Sequence, residues 1–121
     1  MDKCEYEALF YDLPDGSEPA LEFLKSLDVK MRAKLERSIF MLQQAGPALR
    51  LPYSEHLDDG IFEVRAKQGS NITRILYFFF VGKKIILTNG FIKKTQKTPK
   101  NQLELAKNYR KEYLSRTEEE K

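Results

Sequence analysis

The longest apolar run in the chain, Ile75 to Val81, is too short to cross a bilayer and suits a buried strand. It breaks at Gly82-Lys83-Lys84 and resumes at Ile85, so the spacing predicts a tight hairpin between strands over Ile72 to Phe80 and Ile85 to Asn89. Upstream, Ile61 to Ala66 alternates, with Phe62 and Val64 on one face and Ile61, Glu63 and Arg65 on the other. A turn over Lys67 to Asn71 joins this strand to the hairpin. The three strands form an antiparallel meander.

The segments around the meander are helical apart from a first strand and one loop. Glu5 to Tyr11 reads as a first strand, with Cys4 a small residue at its start, and Leu13-Pro14-Asp15-Gly16 turns the chain. Asp15 or Ser17 can cap a short helix with Pro19 in its first turn and Ala20, Leu21, Leu24 and Leu27 on one side. Asp28 caps a second helix, where Met31, Leu35, Ile39 and Leu42 recur at helical spacing until Gly46-Pro47. The stretch from Ala48 to Gly60 reads as a loop. Thr98-Pro99 reads as cap and first residue of a last helix carrying Leu103, Ala106, Arg110 and Tyr113 on one stripe. The expected class is α+β: an N-terminal strand, a helix hairpin, a three-strand antiparallel meander and a C-terminal helix. One domain over residues 1–117 is expected, with the acidic end 118–121 fraying.

One cysteine and one histidine, Cys4 and His56, leave no internal disulfide and no soft or imidazole cluster for a metal, and no cofactor motif is present. The N-terminus carries acids and lacks the apolar core of a secretory signal, which points to the cytoplasm. Net charge is +3 over 121 residues, but its distribution is uneven. Cations crowd the chain from Arg65 to Lys111, whereas the first half holds Asp12, Asp15, Glu18, Glu22, Asp28, Asp58 and Asp59. A basic face able to attract a polyanion follows from that asymmetry, as does a solvated lysine-rich surface.

Register sharpens the expectation. If Gly82-Lys83 is a two-residue turn, Val81 faces Lys84, Arg74 faces Phe91 and Ile72 faces Lys93. If Gln68 to Asn71 forms a four-residue loop, Lys67 faces Ile72 and Arg65 faces Arg74. Two arginines directly opposite repel unless an anion lies between them, and a phosphate suits a pair of guanidinium forks. Phe91, in the same row, could offer a ring to an unstacked base. In the competing reading Arg65 pairs with Glu63 or with an acid of the first half, and Phe91 belongs to the core.

Three stretches, Leu57-Asp58-Asp59-Gly60-Ile61-Phe62-Glu63-Val64-Arg65, Thr73-Arg74-Ile75-Leu76-Tyr77 and Asn89-Gly90-Phe91-Ile92-Lys93-Lys94-Thr95-Gln96-Lys97-Thr98-Pro99, resemble RelE/HigB-type toxins of toxin-antitoxin modules, in particular the phage-like HigB branch. The resemblance implies a RelE-like fold and a ribosome-dependent mRNA interferase that cuts by metal-free attack of the ribose 2′-hydroxyl. Its partners would be the ribosome, mRNA and a cognate antitoxin, expected to be a helix-turn-helix protein, with no membrane. By position, Arg65 and Arg74 resemble the strand arginines that hold the phosphate, and Lys93, Lys94 and Lys97 would line the same cleft. Lys67 and Phe91 join Lys97 as expected RNA contacts. Where RelE carries a catalytic tyrosine this sequence reads Thr98-Pro99-Lys100, so proton transfer is expected from His56, Lys93 or Lys94. ParE relatives share the fold and act without catalysis on DNA gyrase, and an inactive antitoxin-binding relative is a further possibility.

Overall fold

The computed structural model describes residues 4–93 and 97–119, with the side chains of Glu118 and Glu119 excepted. The apolar run becomes β4 (Asn71–Phe80), which pairs antiparallel with β5 (Lys84–Lys93) and with β3 (Ile61–Gln68). Two further strands complete a five-stranded sheet. β1 (Glu7–Phe10) lies parallel to β5, and β2 (Ser54–Asp58) lies antiparallel to β3, giving the order β1-β5-β4-β3-β2. Helices α1 (Pro19–Ser26) and α2 (Val29–Ala45) form the hairpin, and α3 (Lys100–Glu119) closes the chain. This is the expected α+β, RelE-like arrangement.

Both faces of the central strands are covered, which explains an apolar run without alternation. Ile75 and Tyr77 face α1 and α2, where Ala20, Leu24, Met31, Leu35, Ile39 and Leu42 are buried. Leu76 and Phe78 face α3 and meet Ala106. The Asp28 carboxylate accepts from the Met31 amide at 2.8 Å and caps α2 as expected. Asp15 and Ser17 do not cap α1; they bond each other, and Glu18 holds the cap position without a side-chain bond.

The sheet corrects the sequence reading in four places. The segment read as a loop contains β2, so the meander is the middle of a larger sheet. Cys4 is exposed and precedes β1. The first hairpin is tighter than a four-residue loop, because Gln68 pairs with Asn71. The second is looser: Phe80, not Val81, faces Lys84, and Gly82 and Lys83 turn with φ of 81° and 57°. A bulge at Thr88 absorbs the extra residue, so beyond it Arg74 still faces Phe91 and Ile72 still faces Lys93. The bulge also switches the faces of β5, sending Asn89 and Phe91 to the α3 side and turning Gly90 towards α1.

Gly90 is required there by space rather than by backbone angle. A Cβ at this position would lie 2.3 Å from the Phe23 ring of α1. Gly90→Ala is expected to lower unfolding free energy by about 1–3 kcal/mol, and by much less in a Phe23→Ala background, as measured by urea denaturation.

Tyr77 ties β4 to β2 through a 2.6 Å hydrogen bond between its hydroxyl and Ser54 Oγ. Burial pushes its phenol up from 10.0 to about 12, with the Ser54 bond acting weakly in the other direction. The folded state therefore holds this proton more tightly than the unfolded state. That contribution is complete below about pH 10 and is lost as pH rises towards 12. Tyr77→Phe is expected to remove this part of the alkaline fall in stability, read as the difference in urea midpoints between the two proteins across that window.

Candidate nucleic-acid interface

The strand register places like charges opposite each other twice. Arg65 faces Arg74 across β3 and β4, and Glu55 faces Glu63 across β2 and β3. Both repulsions are resolved along the diagonals. Arg74 is fully buried and donates from Nη1 to both Glu63 carboxylate oxygens, at 3.2 and 3.0 Å. Arg65 Nε lies 2.7 Å from Glu63 Oε2, and its Nη2 donates to Glu55. The anion demanded by the two arginines is thus Glu63, a carboxylate with no exposed surface.

Thr98 completes this cluster. Its hydroxyl donates to Glu63 Oε1 at 2.5 Å and accepts from Arg74 Nη1 at 3.1 Å. It therefore does not cap α3; the carbonyl of Pro99 accepts the first helical bonds, from Gln102 and Leu103.

The basic second half meets the acidic first half in the same complementary way. Lys107 bonds Asp58, Arg110 bonds Asp59, Arg116 bonds Asp12 and Lys83 bonds Glu5. These pairs hold the Lys107 ammonium above its ordinary range, chiefly through its hydrogen bond to Asp58, and depress the Asp58 carboxyl through the same bond. Much of the sequence asymmetry is internal docking of one half on the other. The cations that remain without a carboxylate partner are the informative ones.

Three of them gather where β2 ends. The β2 register on β3 runs to Val64, one further bond from the Arg65 amide to the Tyr53 carbonyl at 2.8 Å follows, and the chain then turns aside over Leu51 and Pro52. A cleft of about 650 Å³ opens beside the continuing end of β3, lined by Lys34 and Arg37 of α2, by Arg65 and Lys67 of β3, and by Leu51 and Tyr53. Lys34, Arg37 and Lys67 are exposed and have no carboxylate partner among the described residues. Lys34 Nζ donates to the Lys67 carbonyl at 3.2 Å, which fixes α2 against the strand end. Tyr53 is 44% exposed. Glu55 stands at the Arg65 side of this cleft, its side chain 43% exposed.

Of the residues expected from sequence, Arg65, Arg74 and Phe91 do share a row, and Lys67 lies on the same strand face as Arg65. Phe91 is half-buried and packs against the α3-side core. Lys93 is half-buried opposite Ile72, Lys97 is exposed, and Lys94 lies outside the described residues. His56 pairs with Phe62 and so lies on the sheet face opposite Glu63 and Arg65. Its ring packs edge-on against Phe62 at 4.9 Å, and its Nε2 accepts from the Gly60 amide at 3.2 Å. No signal in the sequence marks Lys34, Arg37, Tyr53 and Glu55: the first two fall between the apolar positions of α2, and the other two lie in the stretch that reads as a loop.

Fold and cleft together define an α+β protein in which three exposed cations without a carboxylate partner among the described residues, Lys34, Arg37 and Lys67, border one cleft at an end of the sheet. The chain belongs to the Gp49-like family of phage-derived proteins (DUF891), whose model matches residues 22–111, from within α1 to within α3. That family is associated with toxin-antitoxin modules, and some toxins of such modules are endoribonucleases. No curated protein matches the chain. No helix of the described residues is long and apolar enough to cross a membrane.

Removing one charge from the buried cluster leaves its partners desolvated without compensation. Glu63→Gln is expected to cost about 3–5 kcal/mol of unfolding free energy, whereas Glu63→Met combined with Arg74→Met is expected to cost far less than the sum of the two single changes. Chemical denaturation of Glu63→Gln and of the four proteins of the methionine cycle checks both.

Proposed function

We propose that the protein is the toxin of a toxin-antitoxin module, of the RelE/HigB type, and that it cleaves mRNA on the ribosome in the cytoplasm without a metal. The observation that carries this reading is the Glu55-Arg65 pair at the edge of the cationic cleft: an accessible carboxylate hydrogen-bonded to a guanidinium. These are two of the groups that metal-free phosphoryl transfer needs. Glu55 accepts the proton of a ribose 2′-hydroxyl as its oxygen bonds to the adjacent phosphorus, and Arg65 stabilises the charge that develops on the phosphorane oxygens. The bond from phosphorus to the 5′-oxygen then breaks, and Lys67, on the same strand face, supplies the proton to the leaving oxygen. The products are a 2′,3′-cyclic phosphate and a free 5′-hydroxyl.

Arg74, being fully buried, acts through Glu63 on the orientation of Arg65, so it is a positioning residue in this scheme. Lys93 and Lys97 lie on the approach to the row and neutralise messenger or ribosomal phosphates. His56, on the opposite sheet face, has no part in the transfer.

Primer extension on messenger RNA after induced expression tests the scheme. The expected result is cuts at codons positioned in the ribosomal A site, lost together with growth arrest in Glu55→Gln, with the cleavage rate of the purified protein on translating ribosomes falling by about 10²–10⁴. Growth arrest with intact messengers and inhibited gyrase would sink the reading in favour of a ParE-like toxin.

A further inference from the structure

We propose that the cleft between α2 and the 51–53 turn is a single-strand binding site, in which Lys34, Arg37 and Lys67 follow the phosphates and Tyr53 stacks on a base. The proposal rests on the ribonuclease reading only for the identity of the strand as RNA. Its physical support is separate. Lys34 and Arg37 lie three residues apart and so share one face of α2. Arg65 and Lys67 alternate on one face of β3, roughly 7 Å apart along the strand. The two pairs border one cleft, and none of its lining residues is acidic.

A ligand that engages these cations together carries negative charges spread over length, because Arg65 and Lys67 alone are roughly 7 Å apart along the strand and Lys34 and Arg37 stand on a different element. It must also present something flat and apolar, because Leu51 and Tyr53 are 61% and 44% exposed in the same cleft. A single nucleic-acid strand offers both. Cationic grooves that track a backbone, with aromatic rings beneath successive bases, are the general solution for binding single strands. A duplex keeps its bases stacked inside and offers nothing to Tyr53. The cleft also begins at Arg65, so a strand lying in it passes the Glu55-Arg65 pair at one end.

The experiment measures binding of a fluorescein-labelled single-stranded RNA of about ten nucleotides to full-length protein carrying Glu55→Gln, so that cutting does not obscure binding. Added Tyr53→Ala is expected to weaken binding by about 5- to 150-fold, with Tyr53→Phe restoring it. Added Lys34→Ala and Arg37→Ala together are expected to flatten the logarithmic salt dependence by about 1.4. Binding unchanged by all these substitutions overturns the proposal, as does tighter binding of the corresponding duplex. A poly-glutamate peptide that binds with the same Tyr53 dependence while the RNA does not also overturns it, and makes the cleft a docking groove for an acidic protein segment. If messengers remain uncut while Tyr53, Lys34 and Arg37 still govern RNA binding, the ribonuclease reading fails and the cleft stands. If cuts occur but binding ignores those residues, the cleft fails alone.

Discussion

The carboxylate of Glu63 is the point on which the centre of this molecule depends. It lies without solvent contact between two guanidinium groups that the strand register forces to face each other, and it also accepts the Thr98 hydroxyl. A buried charge survives only when paired and hydrogen-bonded, and Glu63 satisfies that condition through groups from β3, β4 and the approach to α3. Its net worth in stability is small compared with the loss incurred when one member is removed. What it secures is arrangement: Arg74 can occupy the interior, and Arg65 is held at the rim with Glu55 on its outer side.

The same logic operates at larger scale. Acids of the first half and cations of the second half are separated in sequence because they lie on segments that dock. α3 alone sends Lys107, Arg110 and Arg116 to Asp58, Asp59 and Asp12. Such exposed pairs are each worth little. Their effect on the field is subtractive, since they neutralise Lys83, Lys107, Arg110 and Arg116 and leave Lys34, Arg37 and Lys67 among the cations without a carboxylate partner in the described residues.

Periodicity carried much of the architecture. The capped α2 with Met31, Leu35, Ile39 and Leu42 inward, the central strands and the α3 stripe follow from apolar spacing, which burial enforces. The edge strand β2 escaped because only Ser54 of its five residues is buried, so no alternation betrays it. The row of Arg65, Arg74 and Phe91 was legible although the assumed turn was one residue short, because the bulge at Thr88 supplies a compensating residue. The role of Glu63 was half legible: its face was evident from alternation, but whether a protein carboxylate or a ligand stood between the arginines depends on side-chain geometry. The cleft was not legible. Its walls come from α2, from a turn and from β3, and no local pattern links residues more than thirty positions apart.

The early end of β2 has a second consequence, for self-association. Where a neighbouring strand stops, the next one presents unused main-chain donors and acceptors, a template on which a strand of another molecule can add. Along this part of β3 the exposed side chain is Lys67, with Lys34 clamped to its carbonyl and Arg37 close by on α2. Like charge on an edge repels a second copy carrying the same charge. The exposed cations at this end of the sheet therefore also guard it against pairing with itself.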